Sequence, residues 1–289
     1  MISGRKPARK PARKPARQWI LLVGVLFLAA CASKNGDVPI ESRTPEQIFK
    51  MAEAKITDRR SAGDAAHLFA EIERLYPYSE WAKRAIIMEA FAYHKARAYE
   101  DARAAAQRYL DFYPADEDAA YAQYLIALTY YDQIDKIGRD QGNTLKAMQA
   151  LRVVFERYPD SEYAKSARLK FDLALDHLAA KEMEVGRYYL KRGFYLAAIN
   201  RFRVVVQDYQ TTTQTPEALY RLVESYLSLG LVNEAQTAAA ILGYNFKGSS
   251  WYKDAYDLLK GKGLKPRNML KGDGWLARIW RQTVKGAWL

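Results

Sequence analysis

The chain has 289 residues, with 45 Lys and Arg against 33 Asp and Glu, a formal charge of +12. The excess sits at the ends: residues 1–30 carry seven basic and no acidic residues, Lys260 to Leu289 carry eight basic and one acidic, and Ala32 to Leu259 hold 30 basic against 32 acidic. A nucleic-acid-binding body needs a basic face against phosphates, so nucleic acid is not an expected partner, and a single cysteine leaves no internal disulfide.

The chain opens with a basic run, Lys-Pro-Ala-Arg three times in tandem from Lys6, in which proline every fourth residue blocks a helix. Trp19 to Ala30 follows as an apolar stretch. It falls well short of the ~20 residues that cross a bilayer core and has the length of a signal-peptide apolar region behind a charged start. Leu28-Ala29-Ala30-Cys31 then resembles a bacterial lipobox, which implies cleavage before Cys31 and lipid on that cysteine. The competing readings are an uncleaved anchor or a buried free thiol. Ala32, in place of aspartate, resembles the pattern of Gram-negative lipoproteins sent to the outer membrane. Residues 1–30 are thus read as a lipoprotein signal peptide. Residues 31–44, polar with a glycine and a proline, are read as a lipidated tether.

From Pro45 onward the composition is helix-forming and no alternating strand pattern appears. The decapeptide YPYSEWAKRA at Tyr76 recurs as YPDSEYAKSA at Tyr158, with seven of ten positions identical, and Tyr113-Pro114 repeats the dipeptide. Proline cannot continue a helix, and Ser79 and Ser161 are placed to cap the next one. Twelve residues before the three prolines stand Ala65, Ala102 and Ala147; Ala198 and Ala235 continue the series. Tyr93, Tyr189 and Tyr226 lie nine residues before Ala102, Ala198 and Ala235, and Gly186 supplies a further small position. The pattern resembles the tetratricopeptide repeat, in which a small residue opens the second helix so that two helices approach closely. The alanine spacings are 37, 45, 51 and 37 residues. The excess predicts a long loop over Ile134–Asn143 and one very long helix across Glu162–Arg192. The expected fold is all-α, a superhelix of about five tetratricopeptide repeats over residues 45–259, each unit burying an apolar stripe against its neighbours. Residues 260–289 are read as a basic linker and a C-terminal amphipathic helix carrying Trp275, Ile279 and Trp280 on one face, for an anionic membrane surface, a cap on the last repeat, or a partner.

Chemistry-bearing constellations are sparse. His67, His94 and His177 lack metal-ligand spacing, no nucleophile elbow or phosphate loop is visible, and Asp116, Glu117 and Asp118 read as helix-start carboxylates. No catalytic residue, metal or cofactor is expected, and the chain is read as a non-enzyme.

The lipobox, the Tyr-Pro turns and the segment VGRYYLKRGFYLAAINRF (Val185–Phe202) together resemble the BamD lipoprotein family of the outer-membrane β-barrel assembly machine, over roughly Pro45 to Leu259. The resemblance implies a scaffold anchored by lipid in the outer membrane and facing the periplasm. It implies docking onto the periplasmic domains of the barrel protein BamA, contact with other lipoproteins of the machine, and engagement of unfolded β-barrel precursors. On that basis Tyr76, Tyr78, Trp81, Tyr93 and Tyr99 are the candidate precursor-binding residues, aromatic rings offering contact area at low entropic cost. Tyr76 has an equal alternative, sealing its turn. Arg201, with Arg192 and Tyr188, is the candidate BamA contact, since arginine can pair bidentately with a carboxylate; its alternative is an intramolecular ion pair. Two other functions stand beside this one: a periplasmic scaffold coordinating cell-wall synthesis with envelope constriction, and an enzyme hidden in degenerate repeats.

Overall fold

A computed structural model describes residues 39–266. The signal peptide, the lipobox with Cys31, the first part of the tether and the C-terminal amphipathic helix lie outside the described residues.

Eleven α-helices are present among the described residues: α1 (Pro45–Ile56), α2 (Ala62–Leu75), α3 (Glu80–Ala96), α4 (Tyr99–Phe112), α5 (Ala119–Tyr131), α6 (Gly142–Arg157), α7 (Glu162–Lys191), α8 (Tyr195–Asp208), α9 (Thr215–Ser228), α10 (Val232–Asn245) and α11 (Ser250–Gly261). Odd-numbered helices are the first members of each pair and even-numbered ones the second. Each helix packs on the next, and α1–α3, α3–α5, α5–α7 and α9–α11 also touch, which builds a continuous stack.

The local chemistry explains the punctuation. Thr44 opens α1 with a capping box: its hydroxyl accepts from the Gln47 amide, the Gln47 side chain accepts from the Thr44 amide, and Pro45 takes the first helical position. All five second helices end on an aromatic residue, Tyr76, Tyr113, Tyr158, Tyr209 or Phe246, whose amide closes on a carbonyl four residues back. Tyr209-Gln210 and Phe246-Lys247 make the same ending as Tyr-Pro, so the aromatic, not the proline, is the constant part. Ser79 caps α3 as expected, accepting from the Ala82 amide. Ser161 does not cap α7; its hydroxyl donates to the Tyr158 carbonyl and no side-chain cap forms. Ser249, three residues past Phe246, caps α11.

The alanine register is that of the core. Ala65, Ala102, Ala147, Ala198 and Ala235 are all fully buried, as are Phe69, Ala106, Leu151, Phe202 and Ala239 four residues beyond. Gly186 lets α7 and α8 approach until a Cβ there would lie 2.4 Å from Phe202 Cε1. The long loop is real but closes earlier than expected, with α6 beginning at Gly142. It lies across α7, where Lys181 Nζ donates to the Gly138 carbonyl at 3.0 Å. The long helix α7 runs for 30 residues. Its first half packs with α5 and α6, and its second packs with α8 and begins the core cluster that continues through α9 to α11.

Both domain edges extend further than the sequence suggested. Ile40 packs on the first core cluster, and Tyr76 Oη donates to the Arg43 carbonyl at 2.5 Å, so the end of the tether is part of the fold. After α11, Leu264 joins the last core cluster, and Gln236 Nε2 donates to the Lys265 carbonyl at 2.7 Å. Among the described residues no helix is long and apolar enough to cross a membrane.

Candidate interaction surfaces

The five early-repeat aromatics do not form one cluster. Tyr76, Tyr78 and Trp81 belong to the α2–α3 turn and the start of α3, whereas Tyr93 and Tyr99 flank its far end. Twelve helical residues separate Trp81 from Tyr93, about 18 Å of rise. Tyr78 is fully exposed. Tyr76 is half-buried against the first core cluster, with its hydroxyl engaged by Arg43. Tyr93 and Tyr99 each sit beside a histidine, with ring centroids 6.0 Å from His67 and 5.9 Å from His94 respectively. Burial, with Glu89 and Asp101 nearby, pushes the Tyr93 phenol upward.

Trp81 belongs to a different set, which the sequence reading missed. It lies two residues after Ser79 and packs on Phe49 of α1 at 5.1 Å. Tyr163, two residues after Ser161, packs on Tyr121 and Tyr124 of α5 at 5.1 and 5.4 Å. Trp251, two residues after Ser249, packs on Tyr220 of α9 at 5.4 Å. Each ring bridges successive first helices, and each step carries a cation: Arg84 lies 5.1 Å from the Trp81 ring, Lys170 5.7 Å from Tyr124 and Arg221 5.5 Å from Trp251. The signal was available: Trp81 and Tyr163 occupy one of the non-identical positions of the repeated decapeptide, and both are aromatic. Rings topped by cations give sites for aromatic side chains and for carbonyl or carboxylate oxygens.

The later-repeat residues do come together. Tyr188 and Arg192 stack, guanidinium to ring centroid 5.0 Å. Tyr188 meets Tyr189, and Tyr189 meets Phe194. Phe194, Leu196 and Leu229 stand exposed around them. Phe194 to Ala197 and Leu229 line a concavity of about 370 Å³, and Tyr189, Ala197, Asn200, Arg201 and Val204 line a neighbouring one of about 250 Å³; Ala197 is common to both. Arg201 is on the rim. It donates to Glu182 Oε2 at 3.1 Å while its side chain stays 45% exposed. An exposed pair of this kind contributes ~0–1 kcal/mol, so Glu182 orients the guanidinium without holding it from a competing carboxylate.

The remaining chemical candidates resolve structurally. Asp116 accepts from Lys83, Tyr109 and the Asp118 amide; burial acts to raise its carboxyl, but these three donors hold it below the usual range. His94 pairs with Asp132 at 2.9 Å. Among the described residues no cluster of His, Cys, Asp and Glu could hold a metal ion.

Paired helices with buried small contacts, repeated with aromatic endings, define an α-solenoid of the tetratricopeptide type. Residues 41–241 match the YfiO family of outer membrane lipoproteins, and the chain belongs to that family. It is 46% identical over 241 residues to the outer membrane protein assembly factor BamD of Caulobacter vibrioides, covering 83% of this chain and 79% of that one. The protein of the same name from Rickettsia prowazekii is 41% identical over 244 residues, 83% of this chain and 95% of the other. That from Neisseria meningitidis serogroup A is 30% identical over 245 residues, 80% and 91% respectively.

Proposed function

We propose that the protein is a non-catalytic, lipid-anchored scaffold of outer-membrane β-barrel assembly, held by Cys31 on the periplasmic side of the outer membrane. In this reading α7 and α8 dock onto the periplasmic domains of BamA, and the early repeats engage unfolded barrel precursors. The kinship to assembly factors over more than four-fifths of the chain supports the first statement. The observation that carries the docking reading is the joint exposure of Tyr188, Arg192, Phe194, Leu196 and Arg201 on one edge: aromatic and arginine anchors around shallow concavities are the composition of interface hot spots.

For precursors, Tyr78 and Trp81 are the residues the geometry favours. Tyr78 is free of packing and Trp81 begins the ring-and-cation ladder. Tyr76 serves its turn through the bond to Arg43.

Affinity purification of the tagged full chain from native membranes tests the proposal. BamA and its lipoprotein partners should dominate the recovered proteins. Recovery of cell-wall synthesis proteins in their place would favour the constriction scaffold and reject this reading.

A further inference from the structure

We propose that the α6–α7 hairpin carries a second docking surface, built on Arg152 and Arg168, for an acidic segment of a partner protein that presents carboxylates and apolar side chains together. This face is separate from the edge that runs from Tyr188 to Arg201, and its use does not depend on BamA docking there.

One stripe of α7 is covered for only half its length. Asp176 accepts from the Thr213 amide and hydroxyl and from Gln214 Nε2, which seats the start of α9. Arg187, eleven residues on and so on the same face, pairs with Glu217 of α9 at 3.0 Å. Leu169 lies seven residues before Asp176, two turns back along that stripe. It is 62% exposed, and Lys165 and Asp172 beside it are exposed as well. This half of α7 packs Ala167 and Phe171 into the core it shares with α5 and α6. It leaves bare the face on which the other half meets the next repeat.

Two cations border that face. Phe155 of α6 and Phe171 of α7 meet edge to face at 5.5 Å. Arg152 crosses from α6 to lie 5.3 Å from the Phe171 ring, and Arg168 crosses from α7 to lie 4.5 Å from the Phe155 ring. Each has an acid four residues on, Glu156 and Asp172, a spacing at which helical charges pair. Among the described residues, however, neither guanidinium forms an ion pair. A ring beneath a guanidinium fixes its position and sheds water from one side, while N–H donors remain for a carboxylate.

Charge and shape select the occupant. Exposed leucines accompany both arginines: Leu169 follows Arg168, and Leu145 lies seven residues before Arg152, on the same face of α6. Glu156 and Asp172 stand exposed on the same surface, so it repels a continuous sheet of anionic headgroups and accepts carboxylates placed singly. The body from Ala32 to Leu259, with 30 basic against 32 acidic residues, adds no long-range attraction to such a sheet. An acidic amphipathic segment meets both requirements, its carboxylates on the arginine forks and its apolar side chains against the leucines.

The test measures, by fluorescence anisotropy, binding of a dansyl-labelled amphipathic peptide with glutamate and leucine on one face to the purified full chain. Arg152→Gln with Arg168→Gln should weaken binding about fivefold or more, the loss of two partly exposed charge pairs. Arg59→Gln with Arg60→Gln, which removes the same charge from the exposed α1–α2 turn, should leave it unchanged. In the unaltered chain the peptide should slow amide exchange at residues 165–173, and a counterpart with lysine for glutamate should not bind. Equal weakening in the two double variants would reduce the effect to net charge. Full-strength binding to the Arg152→Gln, Arg168→Gln chain, or exchange slowed only outside residues 145–173, would place the peptide elsewhere. Each of these results overturns the proposal. So would loss of binding to phosphatidylglycerol vesicles in that chain with peptide binding unchanged, which would assign the arginines to lipid.

Discussion

Gly186 of α7 faces the ring of Phe202 of α8 so closely that a β-carbon would sit 2.4 Å from Cε1, 2.8 Å from Cδ1 and 2.9 Å from Cζ. Phe202 is fully buried and cannot retreat. Gly186→Ala should therefore destabilise the later repeats by ~1–3 kcal/mol, the cost of overpacking. Shortening the neighbour, in Gly186→Ala with Phe202→Leu, should recover part of the loss relative to the sum of the single changes. Urea midpoints of the four proteins check this.

Arg97 ends α3 in the left-handed conformation, φ 65°, at the place where Gly193 and Gly230 end α7 and α9. Its side chain is exposed, and a non-glycine residue there carries strain of ~1 kcal/mol or more. Arg97→Gly should raise the melting temperature, whereas Gly193→Arg and Gly230→Arg should lower it. A decrease for Arg97→Gly would mean that the guanidinium makes a stabilising contact.

Glu89 on α3 is 5% exposed and shares Arg108 of α4 with Glu73 of α2, at 2.6 and 3.0 Å. Burial pushes its carboxyl up to about 7; Arg108 pulls it down, and Glu73 and Asp101 add repulsion. Between the ordinary value of 4.5 and about 7 the folded chain keeps a proton that the unfolded chain has released. Stability from this site must then fall as pH rises through that window and stay low above it. Glu89→Gln, which retains an acceptor for Arg108, should flatten the slope. Urea titrations at about pH 5 and about pH 8 measure it.

Tyr76→Phe removes the hydroxyl that holds the Arg43 carbonyl and leaves the ring in place. Hydrogen exchange should quicken at residues 40–44, while crosslinking of a precursor peptide from position 78 should be unchanged. Loss of precursor labelling in this variant would return Tyr76 to the binding surface.

Much of the fold was readable because its repeats obey packing rules that leave marks in sequence. The buried alanines and the 30-residue helix appear where spacing placed them, and so does the long loop apart from its last two residues, which open α6. Two features escaped for physical reasons. Ser161 has the residue type and backbone angles of a cap and, like Ser79, donates back to the tyrosine three residues earlier, yet it does not accept the amide that Ser79 accepts, a difference of local geometry that residue identity does not decide. The aromatic ladder is formed between helices distant in sequence, so Phe49 and Tyr220 carry no local sign that they meet Trp81 and Trp251. The later edge was legible only in part: Tyr188, Arg192 and Arg201 stood out in one segment, whereas Leu229 joins Phe194 and Leu196 through the stacking of the next pair.

The most direct measurement is the affinity of the purified full chain for the periplasmic domains of BamA, compared among wild type, Arg201→Glu, and Arg201→Glu with Glu182→Arg. The double variant restores the internal ion pair with its charges exchanged. The docking account predicts that binding weakens by about tenfold or more in both variants, since losing one partner of an interfacial charged pair costs ~2 kcal/mol or more, while helical content stays unchanged. Full recovery of binding in the double variant would make Arg201 a structural residue only, and unchanged binding in both would contradict the placement of the docking surface.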